Sequence, residues 1–356
     1  MVSYGAYLQL NKLLNCQLPP ALEGEGTRDL AHHDELLFIV VHQIYELWMK
    51  QLLFELDLAK DLLGRPKQAL QDRTVPETDI PKICQQVRRV NEILRLMHAQ
   101  FTIIETMPNV NFLAFRDLLL PASGFQSVQF RELEILSGLR DSDRLESVGS
   151  DYERLLTEEE RKRLERRKEA MSLSDAVFDW LSRTPVDKVF PEFEAEFHKA
   201  FREYAAFQAG WHEGNPNLSP EAREVAKKRI EQQERGLAEW VKGENSLDHR
   251  ARLGFLFILS YRDEPLLRWP ATLLEDLIEF EERLRMFRYR HARMVERMIG
   301  FRTGTGGSAG VDYLDQTALR YRVFGPLLEG RSFLLDPVRL PPIPNREDLS
   351  FRPLPS

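Results

Sequence analysis

The sequence predicts an all-α protein. Two observations carry this. Apolar residues recur at helical spacing along most of the 356 residues, and strand-like alternation is scarce. The implied architecture is a helical bundle with long core helices and a small peripheral group of charged helices. There is no internal repeat, and the chain reads as a single domain over residues 1–356.

Each element follows in order. Residues 34–63 predict one long helix with Asp34 as its N-cap. A second helix is predicted over 80–106. "MPNVNFLAFRDLLLPASGFQSVQFRELEIL" reads as a shorter helix, a Pro/Ser/Gly turn at 121–124, and another helix. The composition shifts near residue 140. "TEEERKRLERRKEA" (157–170) reads as a solvated, highly charged helix. "NPNLSPE" (215–221) is a turn and helix start, and a further charged helix spans 220–243. The segment 140–245 therefore reads as peripheral. The apolar pattern returns at 250–262, and 271–299 predicts a long helix ending at Gly300. The tail, 326–356, carries many prolines and is expected to wrap the surface.

Composition excludes several classes. The net charge is −7 with both signs well mixed, so no nucleic-acid partner is expected. No run approaches the roughly 20 apolar residues of a membrane span. The first residues lack the basic-then-apolar layout of a signal peptide. Only two cysteines occur, Cys16 and Cys84, which fits a reducing cytoplasm. Neither belongs to a CxxC pair or to the CxxCH of covalently attached haem.

The chemistry is sought among eight histidines. None has a glutamate three residues before it, which removes the Glu-x-x-His pattern of carboxylate-bridged di-iron bundles. HExxH is absent too. A metal held by a single axial histidine remains open, and haem needs only that. His42 lies within "LFIVVHQIYELWMKQLLF" (37–54) and shares a helical face with Phe38, Ile39, Tyr45 and Met49. His291 lies within "MFRYRHARMVERMIG", on a face with Leu284, Phe287, Met294, Val295 and Met298, with arginines on other faces. On spacing alone two readings stand. These are satisfied core histidines, or two long helices sandwich a flat apolar cofactor. "GTGGSAG" (304–310) is neither a phosphate-binding loop nor a dinucleotide fingerprint. Its bare amides suit an anion or a plain surface loop. Arg116 edges an apolar helix, as either a carboxylate clamp or an ordinary surface arginine.

Taken together, "YGAYLQLNKLL" (4–14), "HDELLFIVVHQIYELWMKQLLFEL" (33–56), "FLAFRDLLLPASGFQSVQFRELE" (112–134), "RYRHARMVERMIG" (288–300) and "GTGGSAGVDYL" (304–314) resemble the tryptophan 2,3-dioxygenase family. The likeness spans nearly the whole chain in the family's order and is weakest through 140–245. It implies an all-α homotetramer binding haem b, ferrous in the active state. The implied reaction opens the indole ring of L-tryptophan with O₂ to give N-formyl-L-kynurenine, the first step of tryptophan catabolism by the kynurenine route. It further implies His291 as the axial iron ligand and His42 as the distal histidine that hydrogen-bonds the indole N–H. Phe38, Ile39, Val40, Val41 and His42 would line the indole pocket. Arg116 would clamp the carboxylate, and Thr305 would contact the ammonium and carboxylate end. Tyr4, Tyr7 and Leu8, in an N-terminal arm over 1–20, would complete a neighbouring subunit's pocket. Some members carry a tyrosine where this chain has Phe112, so one hydrogen bond to the carboxylate is expected to be missing. The alternative, a related haem enzyme oxygenating a different indole, is opposed by Arg116 and Thr305, because a simple indole has no carboxylate to hold.

Overall fold

The computed structural model describes residues 2–19, 30–64, 79–120, 122, 124–145, 156–304, 310–344 and 346–349, with the side chains of 30–32 and 125 excepted. The fold is all-α, with no strand among the described residues. In chain order the helices are α1 (Tyr4–Tyr7), α2 (Leu10–Leu13), α3 (Leu30–Leu63), α4 (Ile80–Ile104), α5 (Asn109–Arg116), α6 (Val128–Ser137) and α7 (Glu158–Glu169). There follow α8 (Leu173–Ser182), α9 (Val186–Val189), α10 (Phe193–Gly214), α11 (Pro220–Lys242), α12 (Ser246–Ser260), α13 (Arg268–Ile299), α14 (Val311–Arg320) and α15 (Gly325–Gly330).

Several boundaries differ from the sequence expectation for identifiable reasons. α3 begins at Leu30, so Asp34 lies inside the helix and its carboxylate accepts a bond from Asn111 Nδ2 at 2.9 Å instead of capping. α13 begins at Arg268 and takes in Pro270, because a first-turn residue needs no intrahelical N–H partner. α12 begins at Ser246, where the Asn245 side chain accepts from the amides of Leu247 and Asp248. α13 closes as expected at Gly300, whose φ of 62° is cheap only for glycine.

The chain forms two compact units. The first comprises Met1–Leu56, Arg89–Ala170 and Phe280–Arg322; the second comprises Asp57–Arg88, Met171–Glu279 and Val323–Ser356. The stretch 140–245 is thus divided between them at Ala170/Met171.

In the first unit, α3 buries Val41, Tyr45, Met49, Leu52, Leu53 and Leu56, a stripe with steps of three and four that widens at the adjacent Leu52 and Leu53. α13 buries Phe280, Leu284, Phe287, Met294 and Met298, and His291 occupies the missing place in that stripe. Tyr45 Oη donates to Met97 O at 3.1 Å, and Gln100 Nε2 donates to Val41 O at 3.2 Å, which ties α3 to α4. The rings of Tyr45, Phe101 and Phe287 meet at 5.2–5.8 Å and join α3, α4 and α13. α7 is solvated over most of its length, as its composition suggests, and Leu164 anchors it. Its Thr157/Glu160 capping box starts it, Leu164 is buried with Val128, Ile135 and Leu156, and Arg163 pairs with the buried Glu132 at 2.5 Å.

In the second unit, α12 packs against α8 almost backbone to backbone at Gly254, where a Cβ would lie 2.5 Å from Leu181 O. The tail is pinned here: Trp240 Nε1 donates to Pro326 O at 3.1 Å and Tyr261 Oη to Pro341 O at 2.7 Å.

Candidate active site

The first unit contains a cavity of about 310 Å³, within the ordinary size range of small-molecule sites. Its wall is mostly apolar: Phe38, Phe101, Phe112, Phe130, Phe287, Met294, Val295 and Met298 contribute. The polar groups set into it include His42, His291, Arg116, Glu46, Ser127, Arg131, Arg288 and Tyr313.

His42 projects from α3, with Nδ1 2.7 Å from Phe38 O. A carbonyl can only accept, so Nδ1 carries the proton in the neutral ring. Nε2 is therefore left as an acceptor. The Phe38 ring packs on the imidazole at a centroid distance of 4.0 Å and holds its plane. The ring retains exposed area because it forms cavity wall, yet protein surrounds it closely. That burial lowers its proton affinity below the usual 6.5, while the Phe38 carbonyl and Glu46 oppose the shift. Glu46, one turn on, accepts from Ser127 Oγ at 2.6 Å and from Gln129 Nε2 at 2.7 Å. Ser127 in turn caps α6 by accepting from Phe130 N.

His291 projects from α13 and lies 5.9 Å from the Phe101 ring, nearly parallel to it. Among the described residues nothing hydrogen-bonds either of its ring nitrogens. Burial first, then the His42 and Arg288 charges, push its pKa down to about 4. It is thus a neutral imidazole with a free lone pair in an apolar pocket, which is what an iron ligand requires. No group of three His, Cys, Asp or Glu side chains able to hold a bare metal ion occurs among the described residues. The donor set fits a metal that arrives inside a planar organic group and takes one axial protein ligand.

Arg116, at the end of α5, donates from Nη2 to Thr303 O at 2.5 Å. This bond ties α5 to the chain entering the glycine loop. Phe112, one turn earlier, stacks on Phe38 at 5.6 Å and meets Phe115 edge-on at 5.4 Å. Gly304 and Gly310 both line the cavity. Thr305 lies outside the described residues.

The structure therefore brings Phe38, His42, Phe112, Arg116 and His291 together. Ile39, Val40 and Val41 do not line the cavity: successive helical residues turn by 100°, so α3 presents Phe38, His42, Tyr45, Glu46 and Met49, about one turn apart, and not the three residues between Phe38 and His42. Val41 is buried toward α4 instead. Tyr4, Tyr7 and Leu8 are exposed, both tyrosines at 77%, and stand outside this chain's cavity. The arm that bears them is moored beside His42: Gln43 Nε2 donates to Cys16 O at 3.0 Å, and Gln17 Nε2 donates to Gln43 Oε1 at 2.6 Å. One expectation is corrected. Arg288 does not lie on another face from His291; it is one turn before it and lines the same cavity. The i−3 spacing could have revealed it. Glu46 and Ser127 were also missed, and Glu46 follows His42 at i+4.

No helix among the described residues is long and apolar enough to cross a membrane. The family model for tryptophan 2,3-dioxygenase matches residues 1–334. The chain is 38% identical to tryptophan 2,3-dioxygenase 2 of Ralstonia nicotianae, covering 98% of each chain. It is 39% identical to the tryptophan 2,3-dioxygenase of Sorangium cellulosum, over 99% of this chain and 88% of the relative. The enzyme of Dictyostelium discoideum is 36% identical over 98% of this chain and 88% of its own. The chain whose cavity brings these two histidines and Arg116 together belongs, over nearly its full length, to the tryptophan 2,3-dioxygenase family and acts as an enzyme of that kind.

Proposed function

We propose that this cavity binds haem b through His291 and L-tryptophan beside His42, and that O₂ is inserted across the indole C2–C3 bond to give N-formyl-L-kynurenine. The observation that carries this is the pair of histidines in one apolar cavity, one with no hydrogen-bond partner and one with only Nδ1 engaged among the described residues. When bound, the ferrous haem supplies O₂ binding and activation. Both oxygen atoms remain in the product, so no external reductant is consumed.

The chain's own residues bind and orient. His42 Nε2 accepts the indole N–H and holds the ring. A general-base role is disfavoured, because the indole N–H is a far weaker acid than an imidazolium, and burial lowers the proton affinity of His42 further. Arg116 pairs with the substrate carboxylate, and Thr305 joins it at the ammonium end. Phe112 contributes an apolar ring and no hydroxyl, so the arginine carries most of the carboxylate recognition. The apolar wall excludes water from the reacting centre. The exposed Tyr4, Tyr7 and Leu8 are read as wall residues for a neighbouring subunit's pocket in a homotetramer. The place of action is the cytoplasm, in line with the absence of any CxxC or disulfide framework in the sequence.

The test is anaerobic reduction of the haem-loaded full chain, then addition of L-tryptophan and O₂. N-formylkynurenine absorbance is the expected result. Consumption of O₂ with a hydroxylated indole as product would replace dioxygenation with monooxygenation.

A further inference from the structure

Beside the cavity, charge is buried in an uncommon arrangement. Glu134 of α6 is wholly inaccessible, and three guanidiniums converge on it. Arg288 Nη1 donates to Oε1 at 2.6 Å, while Arg144 Nη1 and Arg131 Nη1 donate to Oε2 at 2.7 and 2.9 Å. Each of the three arginines is itself nine-tenths or more buried. The three charges outweigh the cost of burial and hold the Glu134 carboxyl well below the usual carboxylate range.

The arginines are not equivalent. Arg144 has a second acid, Asp141, at 3.3 Å. Arg288 pairs with no acid but Glu134 among the described residues. Its guanidinium otherwise lies over the rings of Phe130 and Tyr321 at 5.3 and 5.2 Å, and its buried Nε has no hydrogen-bond partner among the described residues. Arg288 and Arg131 both line the cavity, whereas Arg144 and Glu134 do not. Arg288 thus brings a buried positive charge to the cavity wall, with donors beyond the Nη1 that Glu134 engages, and such a charge is costly unless anions match it. Arg288 also lies one turn from His291, on the same face of α13.

We infer that Glu134 is a positioning residue for cofactor recognition, holding Arg288 and Arg131 as fixed donors to the peripheral carboxylates of the porphyrin whose metal His291 ligates. The inference rests on the haem reading above. Glu134 never touches the cofactor. Its two oxygens divide the guanidiniums between them, Oε1 for Arg288 and Oε2 for the other two. Without it, three like charges in one buried space would repel and swing out of register. Iron ligation and carboxylate recognition are thereby placed one helical turn apart and fixed by a single buried acid.

The test reconstitutes the full chain with haem and with haem dimethyl ester, followed by Soret titration and by the rate of transfer to a scavenging apoglobin. Wild type is expected to prefer the diacid by roughly 30-fold or more, as for truncation of a buried charge pair. Arg288→Gln and Glu134→Gln should each reduce that preference to a few-fold at most. The ester complex should keep an unshifted Soret band in all three, because His291 is untouched. The ratio of the two ligands cancels general damage to the cavity. Should Glu134→Gln fail to fold by circular dichroism, Glu134→Asp keeps the charge but withdraws it by a methylene, and a reduced preference is again expected. Equal binding of diacid and diester by wild type overturns the inference and leaves the haem reading standing. A preference kept or enlarged in the Glu134 variants overturns the positioning role. Uptake of neither ligand by wild type overturns both readings.

Discussion

Two histidines, one in each unit, use the same local device to opposite ends. His42 in the first unit and His249 in the second each direct Nδ1 to a backbone carbonyl, Phe38 O at 2.7 Å and Val241 O at 3.0 Å. The outer nitrogen of His249 is then met by Glu194 at 3.4 Å, so that ring is completed by protein. The outer nitrogen of His42 meets the cavity. Interior packing differs in the same sense. In the second unit the backbones of α8 and α12 close on each other at Gly254, and Trp240 and Phe255 close on Gly330. The first unit instead holds a cavity walled by α3, α4, α5, α6, α13 and α14. A histidine in a greasy segment is thus decided by its second nitrogen. A partner from the protein makes it structural, and an open cavity makes it a recognition group.

The contrast can be broken most severely at His291, the proposed iron ligand. His291→Ala is expected to lose nearly all haem and all turnover while keeping its helical circular dichroism. His249→Ala should keep both haem and turnover. Haem-to-protein absorbance ratios check the pair, and full haem with an unchanged spectrum in His291→Ala would remove that residue from the site.

Next in size is Arg116. Truncating a buried charge pair costs about 2–5 kcal/mol. Arg116→Ala should therefore lose most of the preference for tryptophan over tryptamine, which lacks the carboxylate. Since Arg116 also holds Thr303 O, both substrates should bind somewhat less well, and the ratio of their kcat/KM values isolates the carboxylate effect.

A change in the second unit should act on stability and leave chemistry alone. A Cβ at Gly254 would sit 2.5 Å from Leu181 O, a backbone atom that cannot yield cheaply, and 2.9 Å from the Thr184 side-chain oxygen. Gly254→Ala is expected to destabilise by about 1–3 kcal/mol, the usual cost of overpacking. Thermal melts should fall, while kcat per haem stays at the wild-type value. A lowered kcat at unchanged melting temperature would contradict this separation.

The pH dependence sharpens the comparison further. Burial lowers the proton affinity of His42 below the usual 6.5, so its neutral, accepting form persists on the acid side of that value. Tryptophan affinity should therefore hold as pH falls to 6.5 and weaken only below it. An affinity that already drops between pH 8 and 7 would point to another titrating group.

Much of this was legible in the sequence because it obeys helical periodicity. The stripes that bury Tyr45 and Met49 on α3, and Phe287 and Met294 on α13, fixed which face each histidine shares. Arg116 was legible as a lone charge on an apolar helix. The helix starts at Leu30, Ser246 and Arg268 were less so, since first turns depend on caps and tolerate proline. The Glu134 cluster was not legible, because its members come from positions 131, 134, 144 and 288 and meet only through packing. Nor does sequence show that Gln43 moors the arm through Cys16 and Gln17, since that depends on where the chain returns.

The smallest expected effect bears most directly on the central claim, that Nε2 of His42 is an open acceptor for the substrate. The decisive quantity is the ratio of kcat/KM for tryptophan over 1-methyltryptophan, which lacks the indole N–H, measured in wild type and in haem-loaded His42→Ala. One hydrogen bond contributes about 0.5–1.5 kcal/mol, or more in a dry site. His42→Ala should accordingly be slower with tryptophan yet still active, and its preference for tryptophan over the methylated analogue should largely vanish. An undiminished preference in the variant would show that the indole N–H is read elsewhere, and complete inactivity of a variant that still binds haem, tryptophan and O₂ would restore His42 as the base.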